Sequence, residues 1–225
     1  MKKLAALILV TALILGIAFW FATQKPQDDD AAVEAPWHIS LHEDGSLEAL
    51  GIRLGHTTLQ DMIDRHGLPD SIALFADARQ ASSVEAYFRN AKFGPLSISL
   101  VLTLDVTRDE LDGMLDRSGG QLGTKTGASK FILSEDDQNA LLDKTVAYLT
   151  AIPAYSSLEA DYFRERLGEP NLSLQVSESA QNWVYPKLGL TLLIDEEGKE
   201  VFQYRNPGEF TDGAAAPVIN TDLSE

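Results

Sequence analysis

The sequence predicts an α+β chain: two related helix-plus-antiparallel-sheet units behind one N-terminal transmembrane helix. Three observations lead there. Leu4 to Ala22 is an unbroken run of 19 uncharged, almost wholly apolar residues. Two polar helix-forming stretches end alike, RHGLPD at 65–70 and RLGEPN at 166–171, and their glycines, Gly67 and Gly168, stand 168 − 67 = 101 residues apart. Short alternating runs separated by turn residues follow each stop, as antiparallel strands require.

As a helix the first run is ~28 Å long at ~1.5 Å per residue, close to a hydrocarbon core of ~30 Å. Lys2 and Lys3 precede it and Asp28, Asp29, Asp30 and Glu34 follow, which favours a cytoplasmic N-terminus. Gly16-Ile17-Ala18 fits a signal-peptidase site, but Phe19-Trp20-Phe21 carries the apolar run past it and suits an interfacial anchor. The expected organisation is therefore 1–23 as a retained anchor (or uncleaved signal) and 24–36 as an acidic linker. Residues 37–133 form a first unit, 134–207 a second, and 208–225 a loose tail.

Composition narrows the function. Lys and Arg total 18 against 34 Asp and Glu, a net charge of −16, which repels nucleic-acid phosphates and anionic lipid headgroups. With no cysteine, the chain has no disulfide, thiolate nucleophile or lipidation site.

In the first unit Trp37, Ile39 and Leu41 alternate with polar residues, and Asp44-Gly45 marks a hairpin turn. Thr57 with Gln60 fits a capping box opening a helix to about His66, with Leu59, Met62 and Ile63 on one face. Val84–Arg89 and Leu96–Leu104 read as strands around Gly94-Pro95. Thr107 with Glu110 caps a short helix carrying Leu111, Met114 and Leu115, and Phe131–Leu133 is strand-like. In the second unit Ser134 caps a longer helix with Leu141, Leu142, Val146 and Leu149 on its apolar face, closed by Pro153. Ser156 with Glu159 caps the next, which carries Leu158, Tyr162, Phe163 and Leu167. Asn182–Tyr185, Leu190–Ile194 and Lys199–Tyr204 read as strands, the last two joined by a tight turn at 195–198.

At these residues the second unit resembles the SmpA/OmlA family, the BamE-like module of bacterial envelope proteins. The shared pattern reads Leu167-Gly168-Glu169-Pro170, Trp183-Val184-Tyr185, and Leu192-Leu193-Ile194-Asp195 through Gly198-Lys199 to Val201. The first unit resembles a worn copy, with Leu54-Gly55-His56-Thr57-Thr58 and Gly67-Leu68-Pro69 but without the Asp-x-x-Gly-Lys hairpin. Two such units side by side resemble the fold of the beta-lactamase inhibitor protein. The resemblance implies helices packed on an antiparallel sheet and a role in protein–protein contact, not catalysis. The family's outer-membrane members are typically lipoproteins, whereas this chain has no cysteine to acylate.

Reactive residue types are present without a constellation. His38 and His42 share a strand face ~13 Å apart at ~3.3 Å per residue, too far for one ion. His56 and His66 flank a helix. Gly119-Gly120-Gln121-Leu122-Gly123-Thr124-Lys125-Thr126 has neither the spacing nor the strand-to-helix setting of a phosphate loop. Asp28–Asp30 and Asp136-Asp137 lack the glycine and distal glutamate of a calcium loop. Asp195 and Glu196 fall at a wet hairpin tip, where nothing raises a carboxyl pKa for acid catalysis. No serine is placed on a nucleophile elbow.

The expectation is a single-pass inner-membrane protein, anchored by Leu4–Ala22 with its bulk in the periplasm. It serves as a non-catalytic binding or accessory module for an envelope or periplasmic protein, with no catalytic, cofactor or metal residues and no nucleic-acid partner. Lys199–Tyr204 reads as an unpaired sheet edge, which makes Val201, Gln203 and Tyr204, with the aromatic pair Trp183 and Tyr185, the expected partner-binding residues. The alternatives are an unrecognised envelope hydrolase joining His66 to acidic residues of the second unit, and a periplasmic inhibitor or chaperone released by signal cleavage.

Overall fold

Strand β9, Val146–Pro153, decides the architecture. Leu141, Leu142, Val146 and Leu149 are spaced for one helix face, but the helix stops early. Helix α3 covers only Glu135–Ala140 and turns off at Leu141. From there Thr145, Val146, Thr150 and Ile152 bring β-branched side chains that lose rotamer freedom in a helix and suit a strand. Along β9, Val146, Leu149, Ala151 and Pro153 are buried. Pro153 lies at the strand end, past Ala151, the last residue of β9 that pairs with β13 (Val201–Tyr204).

A computed structural model describes residues 35–77, 80–123, 129–155 and 158–210. The described residues belong to one compact unit. A small sheet of β1 (Ile39–Leu41), β2 (Leu47–Ala49) and β3 (Ile52–Arg53) comes first. Then follow α1 (Leu59–His66), β4 (Ser71–Asp77), β5 (Gln80–Phe93), β6 (Leu96–Leu104), α2 (Arg108–Arg117), β7 (Gln121–Gly123) and β8 (Ser129–Ile132). After α3 and β9 come α4 (Ala160–Leu167), β10 (Leu172–Gln175), β11 (Ala180–Tyr185), β12 (Leu190–Asp195) and β13. All strands from β4 onward join one ten-stranded sheet in the order β10-β11-β12-β13-β9-β6-β5-β4-β8-β7, every neighbouring pair antiparallel.

This corrects the expected fold class. The chain is predominantly antiparallel sheet, and the two helix-plus-sheet units are replaced by one sheet running through both halves of the sequence. β9 and β13 are hydrogen-bonded to each other at its centre. One core holds Leu59, Met62, Phe88, Leu100 and Leu111 together with Phe163, Trp183, Leu192 and Phe202. Among the described residues no helix is long and apolar enough to cross a membrane. The expected span Leu4–Ala22 and most of the linker lie outside the described residues. Ala35 and Pro36, assigned to that linker, are buried, and the Pro36 carbonyl accepts the Tyr204 hydroxyl at 2.5 Å.

The helix starts follow capping chemistry. Thr107 and Glu110 form the expected box around α2. At α1 the box is one residue later, Thr58 with Asp61, because Thr57 is buried and its hydroxyl accepts the Arg53 backbone N–H at 2.9 Å. Helix α4 starts at Ala160 from Glu159, which makes no side-chain cap. Both α1 and α4 end on a glycine with positive φ, Gly67 at 81° and Gly168 at 78°, each donating its N–H back into the helix.

Candidate functional site

Alternation along each strand gives the sheet two faces of different chemistry. One face carries Leu100, Leu102, Leu149, Ala151, Phe202, Tyr204, Leu192 and Trp183, which pack with Leu59, Met62, Leu111, Met114 and Phe163 of the helices. The other carries no described helix. Across its middle the register lines up Tyr87, Val101, Thr150, Gln203, Thr191 and Val184 on β5, β6, β9, β13, β12 and β11. A neighbouring row holds Ser99, Ile152, Val201, Leu193 and Asn182. This helix-free face is the candidate site.

Its two ends differ. On β5, β6 and β9, Glu85, Tyr87, Ser99, Val101, Thr103, Thr150 and Ile152 are half-buried and Tyr148 is exposed. Burial pushes the Glu85 carboxyl up, partly offset by the Ser83 hydroxyl at 3.1 Å and by nearby Lys130. On β11–β13, Leu193 is 0 %, Asn182 and Thr191 1 %, Val184 4 % and Val201 6 % exposed. Both polar atoms of the Asn182 amide, the Thr191 hydroxyl and the Gln203 Oε1 are buried without a hydrogen-bond partner. Sequence reasoning missed Asn182 and Thr191, because polar residues alternating with apolar ones read as solvent-facing.

The expected partner-binding residues fall elsewhere. β13 is an interior strand between β9 and β12, and the sheet edges are β10 and β7. Val201, Tyr204, Trp183 and Tyr185 are buried, so they offer no exposed contact surface. Trp183 lies under the Arg164 guanidinium at 4.6 Å. Tyr185 donates to the Gly168 carbonyl at 3.1 Å, and burial lifts its hydroxyl to about 12. Of the five, Gln203 alone keeps a partly open position on the helix-free face.

The reactive side chains are dispersed. His42 pairs with Glu48 at 2.8 Å and His56 with Asp44 at 3.1 Å, both toward solvent. The Asp44 carboxylate also accepts the Ser46 hydroxyl and backbone N–H and pairs with Arg53, which together hold it well below the usual carboxylate range. His66 sits against Phe93 at 4.9 Å between ring centroids, and burial, then the Arg65 charge, lowers its pKa. Gly119 and Gly120 precede β7, and 124–128 lie outside the described residues. Asp195 accepts from the Ser179 hydroxyl at 2.8 Å and the Glu197 N–H at 3.1 Å. It borders a cavity of about 330 Å³ at the start of α4, lined also by Glu159, Gln181 and Glu196. Among the described residues no group of three or more His, Asp or Glu side chains is placed to hold a metal ion.

No protein-family model, curated protein or solved structure matches the chain.

Proposed function

We propose that the chain is a membrane-anchored, non-catalytic binding module that presents the helix-free face of its sheet to a cell-envelope protein. One observation carries this reading. Tyr87, Val101, Thr103, Tyr148, Thr150 and Ile152 stay partly exposed in the middle of a ten-stranded sheet, where an antiparallel sheet of this size normally has one face in water or against a partner. Tyrosine, Val and Ile among short hydroxyl side chains suit protein contact: large rigid rings supply area, and hydroxyls supply adaptable hydrogen bonds. Leu4–Ala22 supplies the inner-membrane anchor, leaving the sheet in the periplasm. The Leu-Gly-x-Pro and Trp-x-Tyr motifs, which resemble those of an envelope contact module, favour the same class.

A photocrosslinking residue placed at Val101 or Tyr148 in cells should give a discrete adduct in the membrane fraction. The same residue at Asp64 or Glu165, on α1 and α4, should give none. Adducts from the helix positions only, or from neither set, would reject the helix-free face as the contact surface.

A further inference from the structure

The β11–β13 part of the helix-free face is buried although every described helix lies on the opposite face. The inference rests on reading that face as an interaction surface and concerns what occupies this part of it. Asn182, Thr191 and Gln203 hold unpartnered polar atoms there. Each such atom is expensive to leave unmade, and native proteins keep few of them. Register sets the three side by side: Thr191 lies opposite Gln203, and Asn182 lies opposite Leu193, two residues along β12 from Thr191. An amide, a hydroxyl and a second amide present alternating donors and acceptors, which a peptide main chain complements. Leu193 and Val201 flank them as apolar floor.

The path of the chain selects the occupant. The described chain enters on the helical side: Trp37 packs edge-on against Tyr162 and Phe163, and the Pro36 carbonyl accepts the Tyr204 hydroxyl. It leaves on the other side. After β13 the Arg205 guanidinium lies over the Tyr148 ring at 5.3 Å and the Phe210 ring at 5.5 Å, and Tyr148 belongs to the helix-free face. Residues 211–225, TDGAAAPVINTDLSE, come next and contain the apolar run Ala214–Ile219. At ~3.3 Å per residue, eight residues beyond Phe210 reach ~26 Å, whereas three strands at ~4.8 Å spacing span only ~14 Å.

We propose that segment 211–225 seats on the β11–β13 part of the helix-free face. Its main chain meets Asn182, Thr191 and Gln203, and Val218 and Ile219 lie over Leu193 and Val201. The segment is then a built-in competitor: a partner that spreads beyond β9 must displace it.

The chain's lack of cysteine makes disulfide trapping in the full-length protein a clean test. Cysteine goes to Thr191 or Gln203 on the sheet, paired in turn with cysteine at Ala216, Val218 or Asn220. Under mild oxidation at least one pair should close within a single chain at least tenfold faster than the control pairing Thr103→Cys with the same segment positions. No excess over the control overturns the proposal. So does faster closure with Val33→Cys, or product that links only two separate chains. If Thr191→Cys lowers the melting temperature sharply, Gln203→Cys, at a partly open position, carries the test. Trapping occurs within one purified chain and needs no partner. Photoadducts lost with trapping intact would strike only the interaction-module reading, and the converse would strike only this one.

Discussion

Strands β4–β6 and strands β10–β12 are introduced by the same local syntax and finish in different surroundings. Each meander follows an eight-residue helix closed by a glycine near φ +80°, and each buries alternate residues against that helix. On the opposite face the β5–β6 strands keep hydroxyls and a tyrosine partly in water, whereas β11 and β12 bury an amide and a hydroxyl without partners. Capping, stops and alternation are short-range instructions and repeat faithfully. What lies across a face is set by residues far away in sequence, and there the two regions diverge.

The largest effect should come from breaking the join between these regions. β13 is hydrogen-bonded on both sides, so Gln203→Pro removes a ladder donor and clashes with a neighbour wherever its N–H points. It should cost more than ~3 kcal/mol and leave little folded protein by circular dichroism. β10 is an edge. The Val176 N–H donates to the Ala180 carbonyl, so by alternation the Leu174 and Leu172 amides face β11 and the Ser173 amide faces outward. Ser173→Pro should therefore fold, losing about 1 kcal/mol with the hydroxyl bond to Gln181. Equal tolerance of the two prolines would refute the strand order.

That contrast shows what the sequence made legible and what it did not. The Thr107 box, the Gly67 and Gly168 stops, the Asp44-Gly45 turn and the opposite pointing of Tyr87 and Phe88 depend on neighbours a few residues apart, and local chemistry specifies them. Trp183 and Tyr185 share a face as spacing requires, but whether that face is core depends on α4 and β9. β9 was misread because the apolar residues of a turn and a strand happened to fall at helical spacing. β4 was missed because Ser71–Asp77 shows only a weak alternation and gains its place by pairing with β5 and β8. Strand order is non-local, which is why β13 looked like an edge.

Glycines sharpen the comparison next. Gly189, in the turn between β11 and β12, has φ 66°, and a Cβ there would lie 2.2 Å from the Arg205 carbonyl oxygen and 2.5 Å from Leu47 Cδ1. Gly168 has positive φ too, yet a Cβ would meet nothing within 4 Å. Gly168→Ala should cost roughly 1 kcal/mol from backbone strain alone. Gly189→Ala adds displacement of a backbone atom and should cost about 2–3 kcal/mol in urea melts. If the two cost the same, β1–β3 and β11–β12 are not packed as closely as the structure places them.

Carboxyls supply a smaller, pH-dependent difference. Glu200, beside β13, is buried; its Oε1 accepts the Leu158 N–H at 2.6 Å, and its Oε2 has no partner. Burial pushes its pKa up, ahead of the opposing hydrogen bonds. A carboxyl raised on folding contributes stability that is present below its unfolded pKa and is lost as pH rises through the folded value. Glu200→Gln keeps the acceptor for Leu158 and removes the buried charge. The variant should match the parent at pH 4 and exceed it at pH 8 in melting temperature. An unchanged difference between the two pH values would show that Glu200 ionises without penalty.

The smallest effect should come from the histidines, all four of which lie in the first half of the chain. His42 and His56 pair with Glu48 and Asp44 near the surface, where an ion pair contributes about 0–1 kcal/mol. His38 is exposed, and only His66, against Phe93, has appreciable contact to lose. Replacing all four with Ala should lower stability by about 1–2 kcal/mol in total, most of it from His66. If the helix-free face is the working surface, the quadruple variant should give the same photoadduct from Val101 as the parent. Val101→Glu adds a buried-edge charge to that face and should abolish the Tyr148 adduct while the melting curve stays cooperative. The reverse pattern, an adduct lost with the histidines and kept with the glutamate, would move the site to the small β1–β3 sheet and the surface around α1, and would make titratable chemistry there the function to pursue.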